Sequence, residues 1–228
     1  MNTKFKPLIL IIILHFVWGS NVCAQQYYDK YYTKVIFTDF LSDSRLDKRL
    51  EAEEIDLDLL NAAIFHRTNL ERSIANLPLF EFYDNLYLSA LLHSESMIKY
   101  DFFDHINRHE RNWRMPSDRV LHFDSSYITL AENIVENNLL DYRGDVLTYR
   151  LEYDENGISI YVDADGLELK YSTYRDLASR LVVQWMKSKP HRENILNDTY
   201  ELLGCSCAID SKKQPILIRC TQNFGSME

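Results

Sequence analysis

The chain has 228 residues, 34 acidic against 25 basic, and a formal net charge of −9. An acidic chain with no basic stripe argues against recognition of a nucleic-acid backbone. Glycine and proline together number only 11 and no tract is of low complexity, which argues against a disordered or fibrous protein.

The first segment reads as a targeting signal. Lys4 and Lys6 form a basic start, Leu8 to Trp18 is an apolar run of 11 residues, and Val22-Cys23-Ala24 offers a cleavage site after Ala24. The run is too short for the roughly 20 residues that span a bilayer, and no second apolar stretch suggests a transmembrane segment. Cys23 invites a lipoprotein reading, but Ser20-Asn21-Val22 departs from the small-residue lipobox, so lipidation is not expected. The expected mature protein is secreted or periplasmic. It has about 200 residues, enough for one domain with a full core. Loss of Lys4 and Lys6, with no acid among residues 1–24, takes the charge from −9 to −11.

Residues 25–55 form an N-terminal extension rich in tyrosine and charge, expected to be partly helical. From Asp56 the spacing of Leu60, Ala63 and Ile64 predicts a helix that stops at Asn76-Leu77-Pro78. A second helix is predicted from Asp84 to about Tyr100, with Leu86, Ala90, His93 and Met97 on one face; His93 therefore reads as a packed core histidine. A third runs from about Thr173 to Lys187, with Leu177, Leu181 and Trp185 on one stripe. Residues 147–171 alternate as strands around Glu155-Asn156-Gly157, a hairpin turn signal, with a second turn at Asp165-Gly166. Leu202 to Ile209 and Pro215 to Phe224 read as a strand pair. No βαβ alternation appears, so the class is α+β, with helices covering an antiparallel sheet.

Three cysteines follow the leader. Cys205 and Cys207 share one face of a strand, Cys220 lies on the next, and export permits a disulfide. The odd count leaves at least one thiol free or intermolecular.

Chemistry concentrates in three separated places. His105 follows the second helix in an aromatic loop. Glu132 is a carboxylate set among apolar neighbours, where a lone charge would cost several kcal/mol unless partnered. His191 and Arg192 follow the third helix, just past Ser188 and Pro190. Two imidazoles and a carboxylate make a known zinc set, giving His105 and His191 as candidate metal ligands and Glu132 as the catalytic candidate. The competing reading pairs Glu132 with Arg192 to lock two segments together. No His-Glu-x-x-His motif occurs. Ser188 and Ser94 lack a nucleophile elbow, and nothing basic flanks Cys205 or Cys207 to activate a thiol.

An ordered set of short motifs resembles the CAP superfamily of cysteine-rich secretory, antigen 5 and pathogenesis-related proteins, in its bacterial SCP-like branch. The set comprises Asn69-x-x-Arg72, Ala90-x-x-His93-Ser94-x-x-Met97, Phe103-Asp104-His105, Ala131-Glu132-Asn133-Ile134, Trp185-Met186-x-Ser188, His191-Arg192-x-Asn194-Ile195-Leu196, Gly204 and Thr221-Gln222-Asn223-Phe224-Gly225. The resemblance covers roughly residues 56–225, with a CAP domain over 56–228. It implies an α-β-α sandwich: a small antiparallel sheet between helical layers, with an open cleft. His105, Glu132 and His191 match three of the four residues that bind zinc or magnesium in some members. The fourth is usually glutamate, and Ser188 stands there, which implies weaker metal binding. The cleft would then comprise His105, Glu132, Ser188, His191 and Arg192. Residues 138–170 exceed the family's usual connection and read as an inserted β-hairpin that could border the cleft.

The resemblance implies a secreted ligand-binding or interaction module for a lipid, an envelope glycan or peptide, or a protein. The alternative is a divalent-metal-dependent, peptidase-like hydrolase in the same cleft. With the second glutamate missing, binding is expected over catalysis.

Overall fold

A computed structural model describes residues 29–52, 54–142, 148–157 and 159–227. The leader expected over residues 1–24, with cleavage expected after Ala24, lies outside the described residues. The chain divides into two compact units, Met1–Ile36 and Phe37–Glu228. In the first, Asp29–Thr33 forms a single π turn.

The second unit opens with a short helix α1 (Phe37–Leu41) and a 3₁₀ turn at Ser44–Asp47. Helix α2 (Leu57–Ile74) starts where the Asp56 carboxylate accepts from the Leu59 amide, satisfying one of the first-turn donors. It ends at Asn76, which takes a left-handed φ of 55°. After the two-residue strand β1 (Glu81–Phe82), helix α3 (Asp84–Lys99) carries the predicted second stripe. Helix α4 (Pro116–Phe123), not expected from the sequence, is started by Pro116 and by Asp118, whose carboxylate accepts from the Met115 amide at 2.9 Å. Strand β2 (Tyr127–Asn138) follows, then β3 (Arg150–Tyr153), β4 (Ser159–Val162) and β5 (Glu168–Leu169). Helix α5 (Tyr174–Lys187) is capped by Thr173, and the short α6 (Lys189–Ile195) turns off it at Ser188. Strands β6 (Leu202–Asp210) and β7 (Leu217–Met227) close the fold.

The main sheet has the order β1-β6-β7-β2, antiparallel except for the short β1–β6 pair. Consecutive residues of β7 reach opposite helical layers, as strand pleating requires. Thr221 bonds Ser94 of α3 at 2.9 Å, Gln222 donates to Thr68 of α2 at 2.8 Å, and the Asn223 amide meets Ser89 of α3 at 3.1 Å. The sheet is thus covered by α3 on one face and by α2 on the other, with α5 packed on α2. Trp185 of α5 is buried and donates to the Ile134 carbonyl of β2 at 3.0 Å. The fold is α+β, as expected.

Two motifs of the resemblance have structural jobs here. The Asn69 amide bonds both the amide and the carbonyl of Phe80, at 2.8 and 3.0 Å. Arg72 is fully buried over the Phe80 ring and donates to the carbonyls of Pro78, Ile195 and Asn197, tying α2 to the end of α6. Gly204 allows α3 to approach the sheet: a Cβ there would stand 2.0 Å from the Tyr87 backbone nitrogen.

The strands expected within residues 147–171 form their own three-stranded sheet, β3-β4-β5, turning at Gly157 (φ 77°) and Gly166 (φ 82°). Tyr149, just before it, donates to the Gln214 carbonyl in the β6–β7 loop. That loop lies beside Asn138, which pairs with Leu217, six residues and about 20 Å along β2 from Glu132. This three-stranded sheet thus follows the far end of β2 from Glu132. Cys207 and Cys220, directly opposite in the β6–β7 pair, form a disulfide, and Cys205 is a buried free thiol.

Candidate functional site

Strand β2 lies at the sheet edge, and two neighbouring residues on it point to opposite layers. Glu132 faces the α3 side, toward His93, His105 and Arg119. Asn133 faces the other, donating to the His191 carbonyl at 3.1 Å and accepting from Asn194 at 2.8 Å. The dipeptide Glu132-Asn133 therefore organises both histidine-bearing segments around one point of the edge strand.

Glu132 is held from several sides. Its Oε1 lies 2.8 Å from His105 Nδ1 and 3.8 Å from His93 Nε2, and its Oε2 accepts from Arg119 at 2.7 Å. The Asn223 amide orients its nitrogen to Oε2 at 3.2 Å, because its oxygen can then accept from the Ala90 amide and from Ser89, both at 3.1 Å. Burial works to raise the Glu132 pKa, but the His105 hydrogen bond and the Arg119 charge outweigh it and hold it below the ordinary value. The ionised carboxylate accepts, so His105 donates from Nδ1 and its Nε2 takes no part in this bond. Such a carboxylate–imidazole pair fixes both tautomer and ring orientation. The His105 side chain is 42 % exposed, against 1 % for Glu132 and none for Arg119.

The pairing of Glu132 with Arg192 is not what the fold provides. Arg192 donates to the Met186 carbonyl at 2.8 Å and so caps the end of α5. Its place at Glu132 is taken by Arg119, from the unanticipated helix α4. The available sequence signal was a Pro-Ser-Asp-Arg helix start, which sets Arg119 one turn in and free to face inward.

His93 is a core residue, as its stripe predicts. Its Nε2 meets the Asp104 carbonyl at 3.1 Å, its Nδ1 has no partner among the described residues, and burial pushes its pKa down to about 4. Ser188 is the corner between α5 and α6: its amide bonds the Trp185 carbonyl and its own carbonyl accepts from the Arg192 amide. His191 is half-buried, and burial first, then the nearby His105, lower its pKa. The two imidazoles are thus electrostatic neighbours.

A cavity of about 400 Å³ adjoins His105 and Glu132; Ser188, His191 and Arg192 are not among its lining residues. His105, Glu132, Asn223 and Ser117 supply its polar wall, and Pro116, Val120, Leu130 and Ala131 its apolar wall. Among the described residues, no group of three or more His, Cys, Asp and Glu side chains is placed to hold a metal ion. With both Glu132 oxygens engaged, a zinc ion there would have only the imidazole nitrogens of His105 and His191 to draw on, two of the four ligands it customarily takes. No helix among the described residues is long and apolar enough to cross a membrane.

The arrangement of sandwich, edge-strand glutamate and flanking histidines defines a CAP-type domain. Residues 65–224 match the CAP family, described as the cysteine-rich secretory protein family, and the chain belongs to it. Among solved structures it is similar to an outer surface protein from Borrelia burgdorferi, at 16 % identity and a TM-score of 0.52. That likeness covers 76 % of this chain and 97 % of the other. An extracellular SCP-domain protein from Bacillus anthracis is 22 % identical with a TM-score of 0.46, over 73 % of this chain. A cysteine-rich secretory protein from Staphylococcus aureus is 14 % identical with a TM-score of 0.44, over 75 % of this chain. The chain spans only 40 % and 39 % of the length of these last two. No curated protein matches the sequence.

Proposed function

We propose that this is an extracellular CAP-domain binding module. Its ligand is amphipathic: the apolar part lies against Val120, Leu130 and Pro116, and a polar head meets the Nε2 of His105. The observation that carries this reading is the engagement of both Glu132 oxygens, by His105 and Arg119. A carboxylate so committed, with its pKa held down, is a poor general base. It serves instead to hold one imidazole in a fixed orientation at the mouth of a half-apolar cavity, which suits recognition better than hydrolysis.

Zinc would take its protein ligands from His105 and His191, leaving its other positions to water or ligand, whereas two imidazoles without a free carboxylate do not fit magnesium, which takes oxygen ligands. Bound there, zinc would supply Lewis acidity and a positive charge for a ligand head group. Ser188 offers only a neutral hydroxyl and adds no charge to such a site.

The test uses a fluorescent long-chain fatty acid as probe, with a generic peptide substrate beside it. Saturable probe binding, weakened at least tenfold in Val120→Glu and in His105→Ala, supports the module. Peptide hydrolysis abolished in a folded Glu132→Gln variant would overturn it in favour of the hydrolase. Calorimetric titration with zinc chloride completes the set: binding should disappear in both His105→Ala and His191→Ala.

A further inference from the structure

A second cavity, of about 570 Å³, lies between the far end of β2 and α5, walled by Glu136, Asn137, Asn138, Tyr142, Arg180 and Gln184 among others. Two of its wall residues are cations, Lys187 and Arg180, and Arg180 is the unusual one. Arg180 is largely desolvated, which lowers its pKa, and the Tyr142, Asp141 and Asp176 charges offset this only in part. One guanidinium nitrogen donates to the Asn138 carbonyl at 3.0 Å and the plane sits 4.5 Å from the Tyr142 ring centre, but its buried Nε has no partner among the described residues. The nearby acids are committed elsewhere: Glu136 accepts from Arg219 at 2.7 Å, Asp141 from Arg49 at 3.3 Å, and Asp176 from Thr173 at 2.7 Å. A half-buried guanidinium that no carboxylate hydrogen-bonds, though Glu136 stands in the same wall, is costly unless an anion enters.

The rest of the wall supplies neutral hydrogen bonds in a fixed chain. Tyr142 donates to Asn137 at 3.1 Å, Asn137 to Gln184 at 2.8 Å, and Gln184 toward the Glu136 carbonyl at 3.4 Å. Each amide nitrogen carries two hydrogens, and this chain uses one from each, leaving a donor on Asn137 and on Gln184. A bare anion would leave most of the volume and these donors unused.

We infer that this cavity is a second ligand site, distinct from the one at His105, for a small hydroxylated oxyanion of the sugar-acid class. The carboxylate lies against Arg180, where a guanidinium gives planar two-point recognition. Hydroxyl groups bond the remaining donors of Asn137 and Gln184. The inference does not depend on what the His105 cavity binds.

Calorimetry on the full mature chain tests it with D-glucuronate, D-glucose and inorganic phosphate. The expected result is saturable one-to-one binding of glucuronate, at least tenfold weaker for glucose and for phosphate, and weakened by salt. Arg180→Gln should reduce glucuronate affinity at least tenfold, and Gln184→Ala, on an exposed side chain that cannot unfold the protein, several-fold. His105→Ala should leave it unchanged. Absence of glucuronate binding at millimolar concentration, equal binding of phosphate, or full retention of binding in both Gln184→Ala and a folded Arg180→Gln would overturn the inference.

Discussion

Arg119 and Glu132 meet at 2.7 Å with both side chains out of solvent, and this ion pair underlies the orientation of His105. Removing one partner of a buried pair strands the other charge and typically costs about 3–5 kcal/mol. Arg119→Met is therefore expected to lower stability by about that amount in urea denaturation. Adding Glu132→Gln should recover part of the loss, because the stranded carboxylate is gone. A double variant as unstable as the sum of the singles would show that the two side chains act independently.

Gly204 makes the second prediction. A methyl group there would meet the backbone of Tyr87 and Leu86, at 2.0 and 2.3 Å, rather than a side chain able to swing away. Overpacking commonly costs about 1–3 kcal/mol, and displacing a helix backbone lies at or beyond the upper end. Gly204→Ala should thus show a denaturation midpoint well below wild type, or fail to give soluble protein. Gly157→Ala makes a useful contrast. Its added methyl meets nothing within 4 Å, so its cost is that of positive φ alone, about 1 kcal/mol.

The long helices were legible in the sequence because each carries an apolar stripe with a local start signal: Asp56 and Thr173 cap α2 and α5, and α3, uncapped at Tyr83, has Asp84 in its first turn. The turns at Gly157 and Gly166 were legible for the same reason. Strand β2 was harder, since it is buried on both sides around Glu132-Asn133, so its polar residues fall where alternation would predict a loop. Arg119 was hidden further, on an eight-residue helix too short to show periodicity. Nothing local distinguishes Arg119 from Arg192 as the partner of Glu132, and only the fold brings one of them within 2.7 Å. The pairing of Cys207 with Cys220 depends in the same way on strand register, which puts them directly opposite while Cys205 faces Gln222.

That register predicts two thiol behaviours. The Cys207–Cys220 bridge closes a loop with a sequence separation of 13. A closed loop of that size stabilises by roughly 3 kcal/mol in the chain-entropy view. Cys207→Ala/Cys220→Ala should lose about 2–3 kcal/mol, measured by urea denaturation under non-reducing conditions. Cys205 is fully buried and burial pushes its thiol pKa well up, so a thiol reagent should leave the native protein unlabelled. In protein prepared without residues 1–24, and so without Cys23, one thiol per chain should react once the protein is unfolded. Rapid labelling of the native chain would contradict the burial of β6.

His93 sets the acid limit of the fold. Its folded pKa of about 4 lies below the ordinary 6.5, because burial disfavours the imidazolium and the charges of Arg119 and His105 add to that, while Glu132 opposes it. A depressed folded pKa means the unfolded chain takes up the proton first. Stability from this group is therefore complete above pH 6.5 and is lost as pH falls from there toward 4. His191, also depressed, acts in the same direction. Glu132 adds a loss that begins near its ordinary 4.5 and continues as pH falls toward its own lowered pKa. For His93 the full effect is roughly 3 kcal/mol, at about 1.36 kcal/mol for each unit of displacement. His93→Gln keeps a nitrogen donor for the Asp104 carbonyl but cannot titrate. Urea denaturation of both proteins at several pH values between about 7 and 4 should give a clearly shallower decline for the variant. Parallel declines would assign the acid sensitivity to another group.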